Sequence, residues 1–184
     1  MSTNLVKKMR EATAKFHSMA KNASSVQFFL GGVVNKRSYR KLLANLFFIY
    51  FAIEGEIETN ESHEAIKFVD YPELCRKENL IYDLKYYYGD NWSSLIRPSV
   101  FTQFYVDRIR KISYNNPELL IAHSYAIYIS DLSIDQILKN IAKNAMQLLD
   151  DLGSFFYDFD LIVDEEIFKD KYRNLLNYIL LGQL

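Results

Sequence analysis

Between Pro117 and Gln136 the chain reads P-E-L-L-I-A-H-S-Y-A-I-Y-I-S-D-L-S-I-D-Q. His123, Tyr125, Tyr128, Ser130, Asp131 and Ser133 are threaded through residues that are otherwise apolar nearly all round. A helix of that kind is expected inside a domain, and buried polar groups need partners. It therefore carries a hydrogen-bonded core network or borders a site. Ile127, Ser130, Asp131 and Ile134 are spaced by three and four, so they share one helical face.

Other residues could do chemistry. His17 sits beside an apolar stripe of Leu5, Met9, Ala12, Phe16, Met19 and Ala20. Neutral imidazole suits iron, although a histidine so placed is more often a structural one. Lys169 and Arg173 stand at i and i+4, where two cations can meet one pair of carboxylates or simply form a solvated face. Cys75 is the single cysteine, which excludes an intramolecular disulfide. No basic or metal-binding cluster surrounds it in sequence, which argues against a reactive thiolate.

The elements that must position these groups are helices. Only 6 glycines and 3 prolines occur in 184 residues, too few turns for a strand-rich domain. The length suits one domain, 1–184, with a real core. A net charge of -1 gives no electrostatic case for nucleic acid or an acidic membrane. The apolar run 42–53 is interrupted by Asn45 and is shorter than the roughly 20 residues of a membrane span, so it is expected as a buried helix. No signal peptide or transit segment precedes the first helix. The expected setting is a reducing compartment, cytoplasm or plastid stroma, with the protein soluble.

In order, the chain predicts an amphipathic helix over 2–21, a short apolar segment over 26–34 and a long buried helix over 36–58. A polar connector follows at 60–68, then a helix opening at Tyr71-Pro72 and running through Tyr88, with Trp92 in the loop beyond. Helices are expected over 98–114, 117–136, 136–149 and 164–181, with an aromatic loop at 155–159.

Several of these motifs resemble those of the heme oxygenases, in register along nearly the whole chain. The segment from Pro117 is similar to that family's distal helix, P-E-L-L-V-A-H-[SA]-Y-T-R-Y-L-G-D-L-S-G-G-Q. R-E-A-T-x-x-x-H-S-M-A-x-N, from Arg10 to Asn22, resembles its proximal-ligand motif. Y-R-K-L-L-A-N-L-F-F-I-Y-F-A-I-E and F-K-D-K-Y-R resemble its second long helix and its propionate-binding helix. The likeness is to the biliverdin-producing type, nearest in pattern to cyanobacterial and algal members.

The resemblance implies an all-α, single-domain heme oxygenase-like bundle that lacks the family's last helix. By it, His17 is the axial iron ligand, and Arg10, Lys169 and Arg173 lie at the heme propionates. Tyr125, Ser130 and Ile134 line the heme, while Asp131, Tyr50 and Tyr105 form the distal proton network. Heme is then both substrate and iron site, with electrons from ferredoxin or a reductase, and the products are biliverdin, CO and iron.

The departures from the pattern cluster. The family's Arg is Ile127, its first Gly is Ser130, and its later Gly-Gly is Ile134-Asp135; near the proximal His its Glu is Lys21. Ser and Ile are better helix residues than Gly by a few tenths of a kcal/mol, so a kink is expected to weaken. Ile134 is expected in space otherwise taken by porphyrin, at about 1–3 kcal/mol. Two readings follow. One is an active oxygenase with a relaxed distal pocket. The other is a catalytically degenerate homologue that binds heme or a bilin, or serves as an interaction module, as a homodimer through surface left bare by the missing helix.

Overall fold

A computed structural model describes residues 22–68 and 71–182, together with helical positions 7, 8, 11, 12, 14, 15, 18 and 19. Among the described residues every regular element is helical, as expected. The helices are α1 (Ser24–Leu30), α2 (Lys36–Thr59), α3 (Lys77–Tyr88), the single turn α4 (Trp92–Leu95), α5 (Val100–Asn115), α6 (Leu120–Met146) and α7 (Glu165–Gly182). Short 3-10 turns lie at Ile66–Phe68, Pro72–Leu74, Pro117–Leu119 and Phe155–Tyr157. Trp92, expected in a loop, begins the single turn α4.

The core is built on α2, which packs against α3, α5 and α6. Its buried residues Tyr39, Leu43, Tyr50, Ile53 and Ile57 follow helical spacing, so one stripe faces inward. Asn35 caps its start by accepting the Ser38 N–H at 2.9 Å. Asn45, which breaks the apolar run, has a structural use: its Oδ1 accepts the Ser99 N–H at 2.9 Å and the Thr102 hydroxyl at 2.6 Å. It ties the middle of α2 to the head of α5.

The helix expected from Tyr71 through Tyr88 is divided. Pro72–Leu74 is a 3-10 turn, and α3 starts only at Lys77. The cause is Glu54 of α2, whose carboxylate accepts the N–H of Arg76 at 2.6 Å and of Lys77 at 3.4 Å. A helix start held from outside needs no cap of its own.

The two runs expected at 117–136 and 136–149 are one helix of 27 residues, preceded by a 3-10 turn headed by Pro117. This helix is not buried all round. Leu120, Ile121, Ser124, Tyr128, Leu132, Asp135, Lys139 and Ala142 are buried, whereas Ile134 is 45% and Ile137 60% exposed. α1, α2, α5, α7 and the Phe155–Tyr157 turn all contact α6, yet together they cover one flank. The flank that these described elements leave uncovered carries Ile127, Ser130 and Ile134, whereas Asp135 faces the packed side.

Beyond α6 the chain folds back onto α3. Gly153 has φ +81°, and a Cβ there would come within 2.6 Å of the Tyr86 ring and 2.7 Å of the Tyr87 hydroxyl, so only glycine fits. Asp83 of α3 then accepts the N–H groups of Phe155 at 2.9 Å and Phe156 at 2.8 Å. Lys139 of α6 binds Asp158 at 2.6 Å and Asp151 at 2.8 Å. Among the described residues no helix is long and apolar enough to cross a membrane.

Candidate functional site

The central pair of the site joins α2 to α6: the Tyr50 hydroxyl donates to Oδ2 of Asp131. Tyr50 is fully packed, with its ring 5.7 Å from Tyr128 and 5.5 Å from Phe156, so its hydroxyl is aimed. Loss of water pushes the Asp131 carboxyl up to about 7; the Tyr50 hydrogen bond and the Arg76 charge oppose this, and Asp135 adds to it. A carboxyl that titrates near neutrality can both hold and release a proton. Burial, with the Asp131 charge beside it, raises the Tyr50 phenol well above its ordinary value, so it stays a donor.

Behind this pair lies a layer that sequence reasoning missed. Arg76 is 4% exposed. Its guanidinium donates to the carbonyls of Leu74 at 3.0 Å, Glu73 at 3.2 Å and Asp158, and stacks over the Phe159 ring at 3.7 Å from its centroid. Four backbone and ring contacts hold its charge where it acts on both Tyr50 and Asp131. Glu54 also accepts from the Tyr128 hydroxyl at 3.3 Å, and burial raises its carboxyl above the ordinary glutamate range. Glu54 closes the motif quoted for the long helix, but nothing local in the sequence names its partners, and the Asp158 carbonyl and Phe159 ring that hold Arg76 are distant in the chain.

Tyr105 stands apart from the Tyr50–Asp131 pair. Its hydroxyl is 2.8 Å from Nδ1 of His123, with the rings 5.5 Å apart. Burial pushes the Tyr105 phenol up to about 12, and burial with the nearby Arg108 charge lowers the His123 imidazole. His123 is thus held neutral.

On the open flank of α6, Ser130 donates to the Ala126 carbonyl at 2.6 Å and Ser133 to that of Ile129 at 2.6 Å. Hydroxyls bonded back in this way bend a helix gently without breaking it. Ile127 is half-buried and Ile134 is directed away from the packed core.

α7 supplies the cations. Lys169, 5% exposed, pairs with Glu166 at 2.5 Å, and Arg173 pairs with Asp170 at 2.9 Å. Both acids are exposed partners one turn away, so these pairs are worth little. Tyr125 is half-buried, 5.9 Å from the Tyr172 ring, and together with Asp170 it raises the Arg173 guanidinium, which favours its charged form. Arg10 and His17 lie outside the described residues; around them Ala12 and Met19 are exposed, Met19 to 61%. Cys75 is exposed, and among the described residues no group of His, Cys, Asp and Glu forms a metal site.

Residues 3–183 match a family model described as heme oxygenase. The chain is 53% identical to a heme oxygenase of Pyropia yezoensis, an alignment covering 100% of this chain and 77% of that one. It is 49% identical to heme oxygenase 1 of Synechocystis, covering 100% of this chain and 76% of the relative. The crystal structure of the cyanobacterial heme oxygenase-1 in complex with heme matches with a TM-score of 0.91 at 49% identity, over 95% of this chain and 79% of that one. The heme oxygenase-2 of Synechocystis in complex with heme and NO matches with a TM-score of 0.93 at 41% identity, over 96% and 74%.

Proposed function

This chain belongs to the heme oxygenase family, and we propose on that premise that it cleaves heme to biliverdin, CO and iron with electrons from an external donor. Heme is its substrate and its iron site. The relatives at about half identity over the full chain support turnover; nothing in them supports a homologue that has lost it.

The residues present fit such a ligand. Heme is a broad apolar plate with two carboxylates at one edge. The open flank of α6 offers Ile127, Ile134 and Ile137 as an apolar wall. α7 offers Lys169 and Arg173, whose present partners are exposed acids that a propionate can displace. His17 is the axial ligand in this reading. Bound heme supplies the iron that activates dioxygen and the macrocycle that is opened.

The observation that carries the reading is the Tyr50–Asp131 hydrogen bond at the edge of that wall. Asp131 holds the proton the reaction consumes, and Tyr50 keeps its carboxyl oriented. Arg76 keeps part of the Asp131 population ionised by its fixed positive charge. Tyr105 with His123, and Tyr125 with Arg173, hold neighbouring parts of α6 in place. Ferredoxin or a reductase is the electron donor.

A hemin titration followed by reductant in air tests this. The expected result is a sharp Soret band that His17→Ala abolishes and that decays to a biliverdin-like absorption. A Soret band that bleaches without forming a bilin would overturn the oxygenase.

A further inference from the structure

Asp135 follows Asp131 by one helical turn, where the family pattern has glycine, and it is 3% exposed. Its Oδ1 accepts the N–H of Gln136 at 2.7 Å, a contact with its own neighbour that fastens nothing else. Its Oδ2 is buried and has no hydrogen-bond partner among the described residues. A carboxylate oxygen left bare in the interior is costly. Its charge also raises Asp131, so the pair relieves that cost by holding one proton between them.

The charges that face it come from every element packed there. Asp131 lies one turn back on α6, Arg76 comes from the segment before α3, Asp158 from the chain beyond the Phe155–Tyr157 turn, and Glu165 from the head of α7. Lys139, the next cation along α6, is already engaged with Asp151 and Asp158. Asp131 and Asp135 are therefore two carboxyls on one face, under one shared positive charge. Two such groups do not ionise independently, and a proton held by one is available to the other.

We propose that Asp135 is a second proton-handling carboxyl of this site, taking a proton from solvent by way of Glu165 and passing it to Asp131 once Asp131 has given up its own. The inference rests on the oxygenase reading. In the step, the O–H of Asp135 breaks as the O–H of Asp131 forms, directly or across one water. Negative charge moves one turn along α6 and leaves Asp135 ionised as before, the proton it passed on having come from solvent through Glu165, half-buried at the surface. No electrons move.

Asp135→Asn tests it, because the amide keeps the shape and the acceptor for the Gln136 N–H while removing the charge. In the heme-free protein, carboxyl-carbon NMR of labelled aspartate follows Asp131 directly. Loss of the neighbouring negative charge should lower the Asp131 midpoint by about one pH unit and turn a two-step titration into one step. In the hemin-loaded protein the alkaline limb of turnover should move down by about the same amount, with a larger solvent isotope effect at neutral pH. Asp135→Gly should do the same, and circular dichroism reports whether each variant folds. An Asp131 midpoint that ignores both substitutions overturns the proposal. So does a midpoint that moves while the turnover profile and isotope effect stay fixed. A wild-type protein that binds hemin without opening it overturns the oxygenase reading itself, a distinct result.

Discussion

Tyr50 and Asp131 stand 81 residues apart in sequence, and the phenol of one donates to the carboxylate of the other across the α2–α6 interface. The bond lowers the proton affinity of a carboxyl that burial has raised to about 7. Tyr50→Phe removes the donor and little else, since the ring keeps its packing on Tyr128 and Phe156. Asp131 should then bind its proton more tightly and lose its orientation. Turnover is expected to fall by about tenfold with hemin affinity within about twofold, because the group acts on proton transfer and not on ligand binding. Unchanged single-turnover rates would remove Tyr50 from the mechanism.

Two buried acids set the pH dependence of stability. Burial raises both Asp83 and Asp131 to about 7 from an ordinary value of 3.8. Between those values the unfolded chain has already lost protons that the native state still holds, so ν_U is smaller than ν_N and stability falls as pH rises. The fold should be more stable at pH 5 than at pH 7.5. Asp83→Asn, which keeps one acceptor for the Phe155 and Phe156 N–H groups, should flatten that slope. Thermal unfolding at the two pH values measures it, and a wild-type slope of the opposite sign would mean that these carboxyls ionise freely in the fold.

What was legible in the sequence was whatever depends on near neighbours or on a familiar motif. Helical spacing located α2, α5, α6 and α7 to within a few residues, and the motifs located Tyr50 and Asp131. Asn45 read as an interruption because its partners, Ser99 and Thr102, come from another helix. Arg76 read as an ordinary helix residue for the same reason: Asp158 and Phe159, which hold it, lie 82 residues or more away. The all-round apolar pattern of α6 predicted full burial, yet one flank is open, because composition cannot distinguish a wall packed by protein from a wall meant for a ligand. Pairings across elements decide such points, and no local pattern encodes them.

The two cations of α7 should separate by their burial. Lys169 is buried at its Glu166 contact, while Arg173 is half-buried and braced by Tyr125. Replacing either by Ala should weaken hemin binding by about ten- to hundredfold, of the order of one charge-assisted hydrogen bond. The double variant should lose more than either, and raised salt should weaken the wild type most. Hemin titrations at low and high ionic strength would show it. Affinities indifferent to both substitutions would place the propionates elsewhere.

Ile134 decides between a wall and an obstacle. It is 45% exposed on α6, so its side chain fills no space in the protein core. Ile134→Gly should cost about 0.5 kcal/mol in helix propensity and lower the melting temperature by about 1–2 °C. If Ile134 is part of the apolar wall, the same change removes contact area and weakens hemin binding by several-fold. If instead it obstructs the plate, glycine should tighten binding and speed bilin release. The exposure of Ile134 and Ile137 on one open flank supports the wall. A tighter complex in the glycine variant would show that the substitution had narrowed the site after all.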